Sequence, residues 1–201
     1  MEPTRFQLAL FGTGLGRTFN KRFRQRKKNM RSENLFNYND IKNQSASYIR
    51  QFFEANVPNI NDANDAGLTM LHLAAEYDDN VEVAKVLISM GANVNAKEQS
   101  GLSPLHLAVT YGNVKVAEIL ISNGANVNAK EDNGFTPLHI AAVAKNTAAG
   151  RNIEIAKILI SNKADVNARG NVNNKGESYT PLDLAKQIGD TAMVQYLGSI
   201  S

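Results

Sequence analysis

The chain has 201 residues, 43% of them hydrophobic and 20% charged, enough apolar material for one soluble domain with a sizeable core. It has no cysteine, which excludes disulfides and thiolate zinc sites, and no apolar run approaches the roughly 18 residues of a membrane-spanning helix. The net charge of +3 is unevenly spread: residues 1–31 hold nine Lys/Arg against Glu2 alone, leaving 13 bases and 18 acids, a net of −5, in the other 170. The pI of 9.1 therefore belongs to one end of the chain.

In chain order, residues 1–32 read as a basic, disordered segment. Gly12, Gly14 and Gly16 give G-x-G-x-G, which is neither the dinucleotide-binding spacing nor a phosphate loop, since Arg17 stands where the lysine is needed. The apolar stretch before them is too short for a secretory signal, and its positive charges follow it instead of preceding it. The arginine-rich, acid-poor composition leaves an organellar transit peptide open. The block "KRFRQRKK" carries Lys21, Arg22, Arg24, Arg26, Lys27 and Lys28, with Phe19 and Phe23 nearby. Like charges at this density act as an arm for nucleic acid or an anionic membrane, here through residues 17–31, or as a nuclear-import signal. A solvated tail without a partner is the plain alternative.

From residue 61 onward the chain repeats itself. A T/S-x-L-H/D word begins at Thr69, Ser103, Thr136 and Thr180, in steps of 34, 33 and 44 residues. The last step is a 33-residue period lengthened by "KNTAAG" near 145–150 and by a second insertion within 168–179. Each word is followed by a second apolar stretch: "VEVAKVLIS", "VKVAEILIS", "IEIAKILIS" and "AMVQYLGS". Ser103 and Thr136 are good helix caps, and Pro104 and Pro137 fit the first helical position, where a missing N–H costs nothing. Asn113 and Asn152 stand where second helices would be capped. In "VKVAEILI", Val114, Val116, Ala117, Leu120 and Ile121 fall at helical spacing. Gly91 and Gly124 mark helix ends, whereas Lys163 takes that place in the third copy, where a left-handed residue costs on the order of 1 kcal/mol and predicts a looser or reshaped corner. Ala66-Gly67, Ser100-Gly101 and Asn133-Gly134 suit tight hairpins.

The 33-residue period and the T-P-L-H-x-A word resemble those of the ankyrin repeat. The resemblance implies an all-α solenoid of stacked helix–turn–helix units joined by β-hairpin-like loops. On that reading residues 33–201 are one repeat domain. Residues 33–61 form a divergent N-terminal cap repeat with Ile49, Phe52 and Phe53 on its buried stripe. Residues 62–95, 96–128 and 129–167 are full repeats, and 168–201 is the C-terminal cap.

His72, His106 and His139 sit in matched words, with Asp183 at the same place in the last copy. Stacked helices lie roughly 8–10 Å apart, so three such imidazoles cannot converge on an ion that wants its nitrogens at roughly 2 Å. The resemblance implies that each ring ties its own repeat's hairpin to the Thr/Ser hydroxyl, and that Asp183 has no following hairpin to hold. No nucleophile elbow or H-E-x-x-H appears and the acids are spread along solvated faces, so neither an enzyme nor a cofactor is expected.

The family's partners usually meet the concave face of hairpin tips and first helices. The resemblance places Lys97, Gln99, Leu102, Lys130, Asp132, Phe135 and Arg169 on the tips, and Glu76, Tyr77, Thr110, Tyr111, Val143 and Ala144 on the helices. Leu68, Leu102 and Phe135 share a register, with Tyr179 nearby, as do Tyr77 and Tyr111. Either these side chains make a docking strip or they pad neighbouring repeats. The expected function is a monomeric, cytoplasmic protein–protein interaction scaffold, with a nuclear or secreted, host-directed role open. Asparagine is frequent, at 25 residues, which reads as a bias of the source genome.

Overall fold

The computed structural model describes residues 41, 44–76, 81–144, 150–171 and 177–200. The basic arm, including Lys21, Arg22, Arg24, Arg26, Lys27 and Lys28, lies outside the described residues, as do Tyr77 and most of both insertions.

Nine helices occur among the described residues: α1 (Ala46–Asn56), α2 (Met70–Glu76), α3 (Val81–Ser89), α4 (Pro104–Tyr111), α5 (Val114–Ser122), α6 (Pro137–Val143), α7 (Arg151–Ser161), α8 (Pro181–Ile188) and α9 (Thr191–Gly198). Each apolar stretch flagged by the periodicity becomes a helix, because its buried side recurs every three to four residues. The first helices of successive units pack in one row, α2 on α4, α4 on α6 and α6 on α8. The second helices pack in another, from α1 through α3, α5 and α7 to α9. Helix α1 thus takes the second-helix place in a layer ahead of α2 and α3.

The core is a set of stripes running the length of this stack. Phe53, Leu87, Leu120, Leu159 and Leu197 form one, and Ile49, Val83, Val116, Ile155 and Met193 another, each residue at most 2% exposed. Phe52 is half-buried beside them. Burying such a side chain is worth about 1.5–3 kcal/mol, and every layer gains it only by touching a neighbour.

Two helix ends differ from the sequence expectation. Lys163 does adopt the left-handed conformation, with φ 70° against 87° for Gly124, and the corner is not reshaped. Its N–H donates to the Ile160 carbonyl at 3.0 Å, as that of Gly124 donates to Ile121 at 3.0 Å. The carbonyl of Lys163 also accepts from the Asn128 amide of the preceding layer at 3.0 Å, so tertiary contacts hold a conformation its Cβ disfavours. Asn152 is no cap, because α7 begins a residue earlier behind Gly150. Its amide instead donates to the Asp190 carboxylate of the next layer at 3.2 Å. Asn113 does hold the cap position of α5, but its amide donates to the Ala75 carbonyl at 2.7 Å and so also links layers.

The hairpins are three-residue loops with a left-handed glycine at the end. In the central one, Glu98 N–H donates to the Leu102 carbonyl (3.0 Å), Gly101 N–H donates to the Glu98 carbonyl (2.8 Å), and Gly101 has φ 76°. The last hairpin is enlarged into two short strands, β1 (Gly170–Asn171) and β2 (Ser178–Tyr179), paired antiparallel with Gly170 opposite Tyr179.

Replacing Lys163 by Gly relieves the left-handed strain but loosens the unfolded chain, and the first effect, on the order of 1 kcal/mol, is the larger. Lys163→Gly is expected to raise the urea midpoint slightly and Gly124→Ala to lower it. Equal shifts of the same sign would show that the two corners are not equivalent.

Candidate functional site

The repeated word builds a brace between layers. In α4, Pro104 opens the helix and Ser103 caps it, which places His106 at the third helical position under its own cap. The Ser103 N–H donates to His106 Nδ1 at 3.1 Å, and the Ser103 hydroxyl lies 2.8 Å from the same nitrogen. A backbone N–H can only donate, so Nδ1 is unprotonated and the proton sits on Nε2. That N–H donates to the Phe135 carbonyl at 3.2 Å. His72 does the same between Thr69 and Leu102 (3.1 Å), and His139 between Thr136 and Tyr179 (3.0 Å).

Each ring therefore ties its own cap to the hairpin of the following repeat, which corrects the expectation that it holds its own. All three histidines are at most 1% exposed. Burial above all lowers the pKa of His106 and His139 to about 4, so both are neutral braces at neutral pH. Asp183 closes the last cap, accepting the Thr180 N–H at 3.0 Å and its hydroxyl at 2.8 Å. Hydrogen bonds from the Thr180 backbone and hydroxyl hold its carboxyl below the usual range.

Two further sets of side chains hold the stack, and sequence reasoning missed both. Asn61 accepts the Asn93 N–H (2.7 Å) and donates to the Gly91 carbonyl (3.1 Å). Asn95 bridges Asn126 N–H (2.7 Å) and the Gly124 carbonyl (2.9 Å), and Asn128 bridges Asp165 N–H and the Lys163 carbonyl. Recurrence of "NIN" at 59–61 and "NVN" at 93–95 and 126–128, one place in the period, was the available signal. Within the hairpins, Asn64, Glu98 and Glu131 turn back on their own loops: Glu131 accepts the N–H groups of Asn133 (2.8 Å) and Phe135 (3.0 Å). Burial raises the pKa of Glu131 despite these donors.

The hairpin tips are also linked along the stack. Gln99 N–H donates to the Ala66 carbonyl (3.1 Å), Asp132 N–H to Ser100 (3.1 Å) and Asn171 N–H to Asn133 (2.8 Å). This backbone ladder fixes one edge of the molecule. On it Lys97, Gln99, Lys130, Asp132 and Arg169 are exposed, as predicted for hairpin tips. Lys97 donates to the Lys130 carbonyl at 3.0 Å, Gln99 to the Asp65 carbonyl, and Arg169 to Ser178 O at 3.2 Å.

Among the described residues, the aliphatic members of the expected strip are not surface, and Phe135, Tyr111 and Tyr179 are half-buried. Leu68 (7% exposed) and Leu102 (1%) are buried, because the residue after the hairpin glycine turns inward against the next layer. Thr110, Val143 and Ala144 are buried as well, and the Thr110 hydroxyl donates to the His106 carbonyl at 2.8 Å. Half-buried Phe135 lies 5.3 Å from the His139 ring and over Gly170, where an added Cβ would meet its Cε1 at 2.8 Å and Cγ at 3.1 Å. These side chains pad the stack. Glu76 and half-buried Tyr111 are joined, the phenol donating to the carboxylate at 2.8 Å across two layers.

Layers of paired helices, each cross-linked to the next through a buried side chain and an edge of linked hairpins, define a helical-repeat solenoid. Family models described as "Ankyrin repeats (3 copies)" and "Ankyrin repeats (many copies)" match residues 95–170 and 54–108, together more than half of the chain. The chain belongs to the ankyrin-repeat family, as its sequence words imply. It is also similar to an ankyrin repeat protein of Fowlpox virus (strain NVSL), with 49% identity over 43 residues, 21% of this chain. That match spans 30% of the viral protein's length.

Two outcomes follow from the braces. Unfolded histidines titrate near 6.5 and the folded His106 and His139 near 4, so below about pH 6.5 the unfolded chain takes up protons that the fold refuses. The contribution of these two rings is flat above neutrality and falls as the pH drops, by about 2 kcal/mol for each by about pH 5, with Glu131 opposing in part. A urea midpoint unchanged between about pH 7 and 5 would contradict neutral buried rings. Gly170→Ala is expected to cost about 1–3 kcal/mol through overlap with Phe135, and to cost little in a Phe135→Ala background, as a double-mutant cycle of melts would show.

Proposed function

We propose that this chain is a non-catalytic scaffold that binds a partner protein through the edge of hairpin tips and the adjoining first helices of a stack spanning residues 33–201. Ankyrin repeats are in general protein–protein interaction modules, and the observation that carries the reading here is the hairpin edge. It holds exposed, polar, in-register side chains on a backbone locked by tip-to-tip hydrogen bonds, so little ordering entropy is lost when a partner docks. The side chains best suited to acid–base chemistry, the histidines, are buried and committed to the braces, which supports a role without a reaction. A monomer acting in the cytoplasm, as an effector directed at host proteins, is the finer form of the proposal; the likeness to a viral ankyrin protein supports its host-directed part. No helix among the described residues is long and apolar enough to cross a membrane.

A second reading is favoured by the nine bases against one acid in residues 1–31: an arm that binds nucleic acid or an anionic membrane while the stack recruits a partner. Binding by that arm weakens steeply with salt and vanishes on deleting 1–31, whereas binding by the stack survives both.

Proteins retained on the immobilised chain are expected to be lost on replacing Lys130 and Asp132 by Ala, with the melting temperature unchanged. Replacing Lys115 and Glu118, exposed on α5, is expected to leave retention intact. The reverse pattern would place the docking face on the second helices.

A further inference from the structure

Lys97, Lys130 and Arg169 occupy one register position in three successive layers, just before the hairpin turn. All three are exposed, and among the described residues none has a carboxylate within ion-pair distance; the ion pairs there are Arg50 with Glu54 and Lys85 with Glu82. Lys97 is held in place by its bond to the Lys130 carbonyl, and Arg169 by its bonds to Ser178, which leaves donors on both cations unused. Each is near enough to its own layer's brace for its charge to be felt there: after burial and hydrogen bonding, Lys97 acts on His106 and Lys130 on His139, and Arg169 acts on Asp183 after Lys186. They are thus a row of cations, one per layer, the first and the last of them held by hydrogen bonds.

The spacing selects an occupant. Layers recur at about 8–10 Å, the separation of packed helices. A polyproline II segment has three residues per turn and rises about 3.1 Å per residue, so every third side chain points the same way about 9 Å apart. A β-strand repeats a face at about 6.6 Å, which matches poorly. Beside the row, in the following register position but one, stand exposed Asp65, Gln99 and Asp132, and the body outside residues 1–31 carries a net charge of −5. A uniform polyanion is therefore repelled by the flank and the body, while a protein segment can set acids on the row and amides or bases on the flank.

Resting on the partner-binding reading above, we propose that Lys97, Lys130 and Arg169 seat an extended, polyproline-type segment of the partner that carries an acidic side chain at every third residue.

The test uses the full chain and three probes: a proline-rich 12-residue peptide with Glu at every third position, a peptide of the same composition with its Glu residues clustered, and a single-stranded oligonucleotide. The spaced peptide is expected to bind at least tenfold more tightly than the clustered one. Lys97→Met, Lys130→Met and Arg169→Met together, with melting temperature checked, are expected to abolish that preference. Replacing all six bases of 21–28 by Ala is expected to change it less than threefold. A single Lys130→Glu variant should weaken the spaced peptide and be rescued by a peptide with Lys at the central acidic position. Equal affinity for both peptides, insensitivity to the triple variant, loss with the arm alone, or oligonucleotide binding that depends on the row would each overturn the proposal. Retention of cellular partners that depends on Asp132 but not on the row would sink this proposal and leave the wider interaction reading standing.

Discussion

Buried polar groups must find partners, and in this molecule that constraint is met across the layers. A hairpin packed against the next unit turns the carbonyls of Leu102, Phe135 and Tyr179 inward, away from water, where an unmet acceptor costs about 1–3 kcal/mol. A neutral imidazole satisfies this carbonyl with one nitrogen and its own helix cap with the other. No other side chain of similar size offers a donor and an acceptor on opposite edges of a rigid ring. The hydrophobic stripes supply most of the attraction between layers, but they are tolerant of sliding. The braces, the asparagine bridges and the hairpin ladder fix the register in which those stripes meet.

The same logic explains why an asparagine-rich sequence makes a well-defined stack. Asn61, Asn95 and Asn128 each use a side-chain oxygen and a side-chain nitrogen on two backbone groups of the next layer. Their frequency, read from sequence as a genomic bias, has a structural use at these positions. Lys163 is the complementary case: its backbone is clamped by Asn128, so the left-handed corner persists where the sequence lacks the glycine that would make it easy.

Much of the architecture was legible because a period of 33 residues carries its meaning in repetition: words, caps and apolar spacing all recur together. Helix order, the buried stripe of Ile49 and Phe53 and the structural role of the histidines could be read this way. What could not be read was direction. Sequence spacing places His106 near a hairpin, but choosing between the hairpin before it and the one after needs the offset between layers, which is a tertiary quantity. Burial of Leu102 and Val143 was hidden for the same reason, since a residue at a hairpin base or helix end faces solvent or a neighbour depending on how closely the next unit approaches. Asn152 misled because the inserted residues let α7 start early, behind Gly150.

The braces also give the molecule a heading. Each unit reaches forward to the one after it, and Asp183, with its carboxylate turned back on Thr180, reaches no further. A copied unit inserted anywhere before that point would bring both its own outstretched ring and its own receptive carbonyl, so the array can grow or shrink by whole modules without redesign. The final module is different: it receives and does not give, and lengthening the array beyond it would require restoring the aromatic nitrogen that Asp183 lacks.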